Sequence, residues 1–145
     1  MYHKILVALE NGPADESLIP HIIQLAQLCH SRLLLVHVAD GWAARNYDRF
    51  KLKESQEMIE DRAYLEAKVR QLREAGLEVD SRLAKGEPPE EIVKTAQAEQ
   101  CDLIAMTSHG HRLIGDILFG STIDEVRHST SIPLLVVRSS KRTAG

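Results

Sequence analysis

The sequence predicts an α/β fold: an open, doubly wound parallel sheet of five strands in the order 3-2-1-4-5, with helices on both faces. Short runs rich in Ile, Leu and Val recur at residues 4–9, 32–38, 77–83, 102–106 and 133–137. The longer segments between them carry apolar residues at three- and four-residue spacing, which is typical of helices that cover a buried parallel sheet. Right-handed crossovers through this alternation generate the strand order.

The five strands differ in their expected burial. The third run alternates apolar Leu77, Val79 and Leu83 with polar residues, which predicts an edge strand with one face toward water. The other four runs are more continuously apolar, so we expect them to be more buried.

The predicted helices span residues 13–30, 51–75, 89–100 and 121–129. Gly76 is the expected C-terminal cap of the second helix, because glycine adopts the left-handed conformation without strain. Pro88 and Pro89 open the third helix, and the two glutamates that follow them complement its dipole. Residues 40–50 show no clear period and predict a surface loop.

Length and charge restrict the class of protein. With 145 residues the chain is expected to form a single domain over residues 1–138, followed by a flexible tail at 139–145. The net charge of -3 gives no basic field for a nucleic acid, and no apolar run approaches the roughly 20 residues that cross a bilayer. We therefore expect a soluble, cytoplasmic protein without nucleic-acid or membrane partners. Its two cysteines, Cys29 and Cys101, are expected to be reduced and buried.

The predicted strand order has one switch point, between strands one and four, and ligands in such sheets bind beyond the carboxyl ends of the flanking strands. Three glycines, Gly110, Gly115 and Gly120, lie in the segment that follows strand four. Glycine permits close approach of backbone amides to an anion, and a helix expected to begin at Ser121 would add its positive end. A Walker loop is excluded because Ser121 stands where lysine is required. A plain turn and helix cap without a ligand remains the alternative.

Gly110, nine intervening residues, Gly120 and Ser121 reproduce the second half of a G-x2-G-x9-G-[ST] motif. On this motif, and on the opening Ile5 to Glu10 and the Val-rich last strand, nearly the whole chain resembles the ATP-binding branch of the universal stress protein family, within the adenine-nucleotide α-hydrolase-like superfamily. Thr107 stands at the first glycine of the motif, and Glu10 stands where the family usually has Asp, a residue associated with the ribose or base.

The resemblance implies an adenine nucleotide, with ATP as the expected ligand and Mg²⁺ bound along with it, where Glu10 and Asp116 could assist. Val38 would offer backbone groups to adenine. The candidate binding residues are Ala8, Leu9, Glu10, Val38, Met106, Thr107, His109, Gly110, Arg112, Gly120, Ser121 and Thr122. We expect no protein-held metal, since His109 and His111 lack a third ligand at a suitable spacing, and no catalytic set beyond at most slow ATP hydrolysis.

The last strand, at residues 132–137 from Ile132 to Val137, is apolar and would lie at a sheet edge. Such an edge invites pairing with another chain, and the resemblance implies a homodimer formed through it. The resulting hypothesis is a regulatory or protective stress-response dimer that binds ATP or a related adenine nucleotide. The alternative, motivated by Thr107 and Glu10, is a stress-response interaction protein that binds no nucleotide.

Overall fold

The computed structural model describes residues 1–39, 51–108 and 114–139, and for residues 51–55 and 114–121 only the backbone. The described strands are β1 (Lys4–Ala8), β2 (Arg32–Ala39), β3 (Glu78–Lys85), β4 (Leu103–Ser108) and β5 (Leu134–Arg138). The described helices are α1 (Asp15–Cys29), α2 (Lys51–Glu74), α3 (Pro88–Ala98) and α4 (Ile114–Ser129). The predicted loop at 40–50, residues 109–113 after β4, and the tail from residue 140 lie outside the described residues.

The strands form one parallel sheet in the order β3-β2-β1-β4-β5, which confirms the predicted topology. β1 lies at the centre, with Val7 beside Leu35 of β2 and Ala105 of β4. The direction of the crossovers reverses between β1 and β4, so the crevice of the switch point opens beyond their carboxyl ends.

Side chains of the central strands alternate between two cores, because successive residues of a strand point to opposite faces. Val7 and Leu35 belong to the core that α1 and α2 cover, and Leu6 and Ile104 belong to the core that α3 and α4 cover. All four are essentially inaccessible to water. Two-sided burial explains why these strands read as continuous apolar runs in the sequence.

The two edges of the sheet are different. In β3 charged side chains alternate with other residues, as predicted, at Glu78, Asp80 and Arg82. Arg73 of α2 donates from Nε and one terminal nitrogen to the carbonyl oxygen of Val79, at 3.1 and 2.7 Å. β5 is the other edge, as expected for the last strand, and its side chains are less exposed than those of β3, although Val136 is 42% exposed. The edge of β3 is therefore covered by charge, whereas the edge of β5 is apolar.

The helices that precede β2, β3 and β4 end in the same way. The residues after α1, α2 and α3 include one with a positive φ, at His30, Gly76 and Gln100 respectively. Each is followed by an amide that bonds back five residues, as in the 3.2 Å contact from the Leu77 amide to the Leu72 carbonyl. This is the Schellman arrangement, and it confirms the cap predicted at Gly76. α3 also begins on its proline pair with Glu90 and Glu91 in the first turn, as predicted.

The start of α4 differs from the prediction. The sequence places the beginning of this helix at Ser121, but the helix runs from Ile114, so Gly115, Gly120 and Ser121 lie within it. Ile114, Ile117 and Leu118 have the three- and four-residue spacing of a helix, and this pattern overrides the two glycines that were read as loop residues. The amides of Ser121 and Thr122 are consequently in the body of the helix and not among its first four unpaired donors.

Candidate functional site

The segment after β1 is organised around a buried acid, Asp15, the first residue of α1. One carboxylate oxygen of Asp15 accepts the amide of Glu10 at 2.9 Å, and the other accepts the amides of Asn11 at 2.9 Å and Gly12 at 3.4 Å. Asp15 is fully buried, and successive amides that converge on one anion form a rigid nest. The turn that carries Glu10 is thus fixed by an internal charge.

Helix α2 holds this turn from the side. Tyr64 donates a hydrogen bond to Oδ2 of Asp15 at 2.8 Å, and Asn11 donates from Nδ2 to Oδ1 of Asp61 at 3.0 Å. Burial raises the pKa of the Tyr64 phenol, and the hydrogen bond to Asp15 and the charge of Asp15 raise it further. The contacts join residues about 50 positions apart in the chain.

His37, near the end of β2, makes further polar contacts with the turn after β1 and with α2. Its Nδ1 lies 3.0 Å from the carbonyl oxygen of Leu9, and its Nε2 lies 3.6 Å from Oδ2 of Asp61. A carbonyl oxygen only accepts, so the Nδ1 atom carries a hydrogen and donates it. The ends of β1 and β2 and the middle of α2 are therefore joined through polar side chains.

Asn11 carries an unsatisfied atom in this network. Its backbone has a φ of 59°, and while its Nδ2 is bound to Asp61, its Oδ1 is the buried side-chain atom without a hydrogen-bond partner in the described part of the chain. A buried acceptor without a donor costs about 1–3 kcal/mol. The turn after β1 is consequently held at some cost to stability.

Glu10 and Thr107 meet across the switch point. The hydroxyl of Thr107, near the end of β4, donates to Oε2 of Glu10 at 2.9 Å. Thr107 is 4% exposed, whereas Glu10 is partly exposed and follows directly after β1 and Leu9. This hydrogen bond lies at the carboxyl ends of the two strands between which a ligand of this fold would bind.

The sequence-predicted site residues fall into three groups. Ala8, Leu9, Glu10, Met106 and Thr107 lie together at the ends of β1 and β4, and Val38 lies near the end of β2. Leu9 and Met106 are core side chains, so only their backbones could contact a ligand. His109, Gly110 and Arg112 are outside the described residues. Gly120 and Ser121 are in α4, where only the backbone is described, and Thr122 is a partly buried residue of the same helix.

Asp15, Asp61, Tyr64 and His37 were missed by the sequence reasoning. Three of them belong to helices or strands whose polar residues resemble ordinary surface residues. The acid in the first turn of α1, three residues after Gly12, is the one local signal that could have indicated a bound turn.

Three other features bear on the kind of site that the described residues form: metal ligands, further grooves and membrane-spanning helices. No group of three or more His, Cys, Asp or Glu is arranged there to hold a metal ion. Grooves of about 660 Å³ between α3 and α4 and about 550 Å³ beside β3 lie away from the switch point. Within the same ranges, none of the helices has the length and apolar character needed to cross a bilayer.

Known proteins resemble this chain along nearly all of its length. Residues 1–138 match the model of the universal stress protein family. Universal stress protein MJ0577 of Methanocaldococcus jannaschii is 30% identical over 95% of this chain and 96% of that protein. A solved structure of MJ0577 superposes with a TM-score of 0.80 at 29% identity and covers 99% of both chains.

Two further structures share the fold and contain nucleotides. A universal stress protein from Archaeoglobus fulgidus in complex with dAMP has a TM-score of 0.69 at 24% identity, over 94% of this chain and 98% of that one. A universal stress protein in complex with cAMP has a TM-score of 0.69 at 19% identity, over 96% of this chain and 98% of that one.

Proposed function

Because this chain belongs to the universal stress protein family, we propose that it binds an adenine nucleotide in the crevice beyond the carboxyl ends of β1 and β4. The observation that carries the proposal is the meeting of Glu10 and Thr107 at this switch point. The AMP-type ligands of two structural neighbours support the same ligand class. We propose ATP as the physiological ligand and a regulatory or protective role in the cytoplasm during stress.

The chemistry of the crevice assigns its two sides to different parts of a nucleotide. A carboxylate only accepts hydrogen bonds and repels phosphate, so Glu10 suits a sugar hydroxyl or the amino group of adenine. The phosphates would then lie toward the first turn of α4, whose leading amides have no partner within the helix. Because Gly120 and Ser121 lie in the body of α4, their amides are not among its leading donors.

Magnesium, in this proposal, enters with the nucleotide. Mg²⁺ commonly rests on phosphates and one or two carboxylates, and Asp116 belongs to the first turn of α4, on the side proposed for the phosphates. The ion would neutralise phosphate charge, a role that lysine often takes in phosphate sites. The segment from Thr107 to Thr122 contains no lysine.

Isothermal titration calorimetry of the full chain with AMP, cAMP and ATP, each with and without Mg²⁺, tests the proposal. We expect saturable binding to the wild type and a loss of affinity of about tenfold or more in Glu10→Ala. Glu125→Ala, which removes an exposed carboxylate of α4, is the matched control and should bind as the wild type does. Absence of heat at millimolar nucleotide would overturn the proposal.

A second candidate is a stress-response interaction protein without a nucleotide. The favouring observation is that Asp15 already occupies the amides of the turn after β1, while the buried Thr107 hydroxyl already occupies the carboxylate of Glu10. If the wild type binds no nucleotide and Thr107→Gly binds AMP, this candidate replaces the first. Saturable binding by the wild type excludes it.

We also propose that two copies pair through β5. The apolar edge of this strand carries Val136, whereas Arg73 caps a carbonyl oxygen of Val79 at the opposite edge. Val136→Lys should yield a monomer in size-exclusion chromatography with light scattering. Ser81→Lys, at an exposed position of β3, should leave the oligomeric state unchanged. A wild-type protein that is already monomeric at high concentration would contradict this proposal.

A further inference from the structure

The carboxylate and the backbone of Glu10 are fixed independently. Asp15 accepts the backbone amide of Glu10 at 2.9 Å, and Thr107 donates its hydroxyl to the carboxylate at 2.9 Å. The backbone contact comes from the same side of the sheet as α1, and the side-chain contact comes from the neighbouring strand β4. A glutamate with three side-chain torsions is thereby restricted at its first and last atoms.

The register of the sheet explains why position 107 can reach Glu10. Val7 lies beside Ala105. Two residues further along each chain, Leu9, just past the end of β1, and Thr107 are both buried. Glu10 is one residue further, where the chain has left the sheet and turned toward α1. A side chain one methylene longer than aspartate and a hydroxyl at position 107 together span this gap.

We infer that Thr107 is a positioning residue, whose hydroxyl holds the Glu10 carboxylate in place to accept a hydrogen bond from a sugar hydroxyl or from the amino group of the bound adenine nucleotide. The inference rests on the proposed function and deepens it. Thr107 and Glu10 act as one unit, in which the hydroxyl compensates for the freedom of the longer acid. A carboxylate has two oxygens with about two acceptor sites each, so the bond to Thr107 is compatible with a bond to a ligand.

A purely structural role for the pair makes a different prediction. In that case Glu10 only provides a hydrogen-bond acceptor for the hydroxyl of Thr107, which is 4% exposed. Loss of the hydrogen bond would then lower the stability of the fold, and it would lower the affinity for every ligand by the same factor. If Thr107 positions Glu10, its loss lowers the affinity mainly for those nucleotides that donate a hydrogen bond to the Glu10 carboxylate. The selectivity among nucleotides therefore separates the two roles.

The test is a titration of four ligands, AMP, 2′-deoxy-AMP, 3′-deoxy-AMP and IMP, against the wild type and Thr107→Val. The wild type is expected to bind at least one of the three analogues about tenfold more weakly than AMP, which identifies the donor group as a hydroxyl or the amine. Thr107→Val keeps the shape of threonine without the hydroxyl, and we expect it to lose about tenfold in AMP affinity together with this selectivity. Thr107→Ser should recover most of both.

Glu10→Asp keeps the inference testable if Thr107→Val does not fold. Aspartate is too short to reach the hydroxyl, so this variant should also lose selectivity, and Glu10→Asp with Thr107→Val should lose no more than either single change. Equal weakening for all four ligands, additive losses, or unchanged selectivity in Thr107→Val would overturn the inference and leave nucleotide binding standing. A wild type that binds none of the four overturns the proposed function and the inference with it.

Discussion

Tyr64, in the middle of α2, donates its hydroxyl to the carboxylate of Asp15, at the start of α1, over a distance of 2.8 Å. That carboxylate is fully buried and gathers the amides of the turn after β1. Helix α2 therefore contributes directly to the shape of the crevice, although it is separated from β1 by the whole of α1 and β2.

Removal of the Tyr64 hydroxyl should destabilise the fold. Tyr64→Phe leaves Asp15 with one donor fewer in a buried position, and we expect the free energy of unfolding to fall by about 1 kcal/mol. Asp15→Asn should cost about 2–3 kcal/mol, because it also removes the charge that the amides surround. Urea unfolding measures both. Tyr2→Phe is the control, since among the described residues the Tyr2 hydroxyl makes no hydrogen bond, and an equal loss there would contradict the argument.

Asp102 makes the stability of the fold depend on pH in the acidic range. Its carboxylate accepts the amides of His3 and Lys4 at 2.8 and 3.0 Å. Partial burial acts to raise the pKa of Asp102, but these amide hydrogen bonds outweigh it and the pKa is lowered. A pKa that is lower in the folded state stabilises the fold above the ordinary value of about 4, and this contribution is lost as pH falls through the lowered value.

Asp102→Asn should therefore lower the free energy of unfolding at neutral pH by about 1 kcal/mol, a figure reduced for partial exposure, and should flatten its decline between about pH 5 and pH 2. Thermal unfolding over this range makes the comparison. The exposed Asp124→Asn provides the reference, and an unchanged decline in Asp102→Asn would show that other carboxylates carry the acid dependence.

The turn between α2 and β3 depends on a left-handed residue. Gly76 has a φ of 89°, so Gly76→Ala strains the backbone and should cost about 1 kcal/mol of stability. At Gly12 no neighbouring atom lies within 4 Å of an added Cβ and φ is not positive, so Gly12→Ala should change stability by less than about 0.5 kcal/mol. Chemical denaturation of both variants measures the difference. Equal losses of stability in Gly76→Ala and Gly12→Ala would contradict the prediction.

The two cysteines should differ in reactivity. Burial raises the pKa of the Cys101 thiol to about 11, and the residue is 5% exposed, whereas Cys29 is only partly buried, contrary to the expectation from sequence. Because the thiolate is the reactive form, a disulfide reagent such as DTNB should titrate Cys29 in the native protein and Cys101 only after unfolding. Cys29→Ser should abolish the native reaction. A fast second equivalent in the folded wild type would contradict the assignment.

The sheet topology could be predicted because it follows from local signals. Alternating apolar runs and amphipathic segments, with right-handed crossovers, leave few orders of five strands, and the polar alternation around Val79 identified one edge. The edge position of β5 followed from the same strand order. A run such as Leu134 to Val137 has the composition of a buried strand, and only its place in the sheet exposes it.

The site was predictable in location and less so in its interactions. The switch point indicated Glu10 and Thr107 separately, but their hydrogen bond joins residues 97 positions apart and has no local pattern. The same is true of Tyr64 with Asp15 and of His37 with Asp61. The early start of α4 was missed because Gly115 and Gly120 were weighed as loop formers, against a helical spacing of neighbouring apolar residues.

The chain connects its elements unequally at the two ends of the sheet. Before β2 and β3 the helix gives way to the strand within two or three residues, whereas six residues separate β1 from α1 and eleven separate β2 from α2. An inserted peptide tag would therefore disrupt the short amino-terminal connections, and one placed between β1 and α1 would break the turn that Asp15 holds. Substitutions on the surface of the carboxyl-terminal connections are the better route to a changed ligand preference, because they leave the strands unaltered.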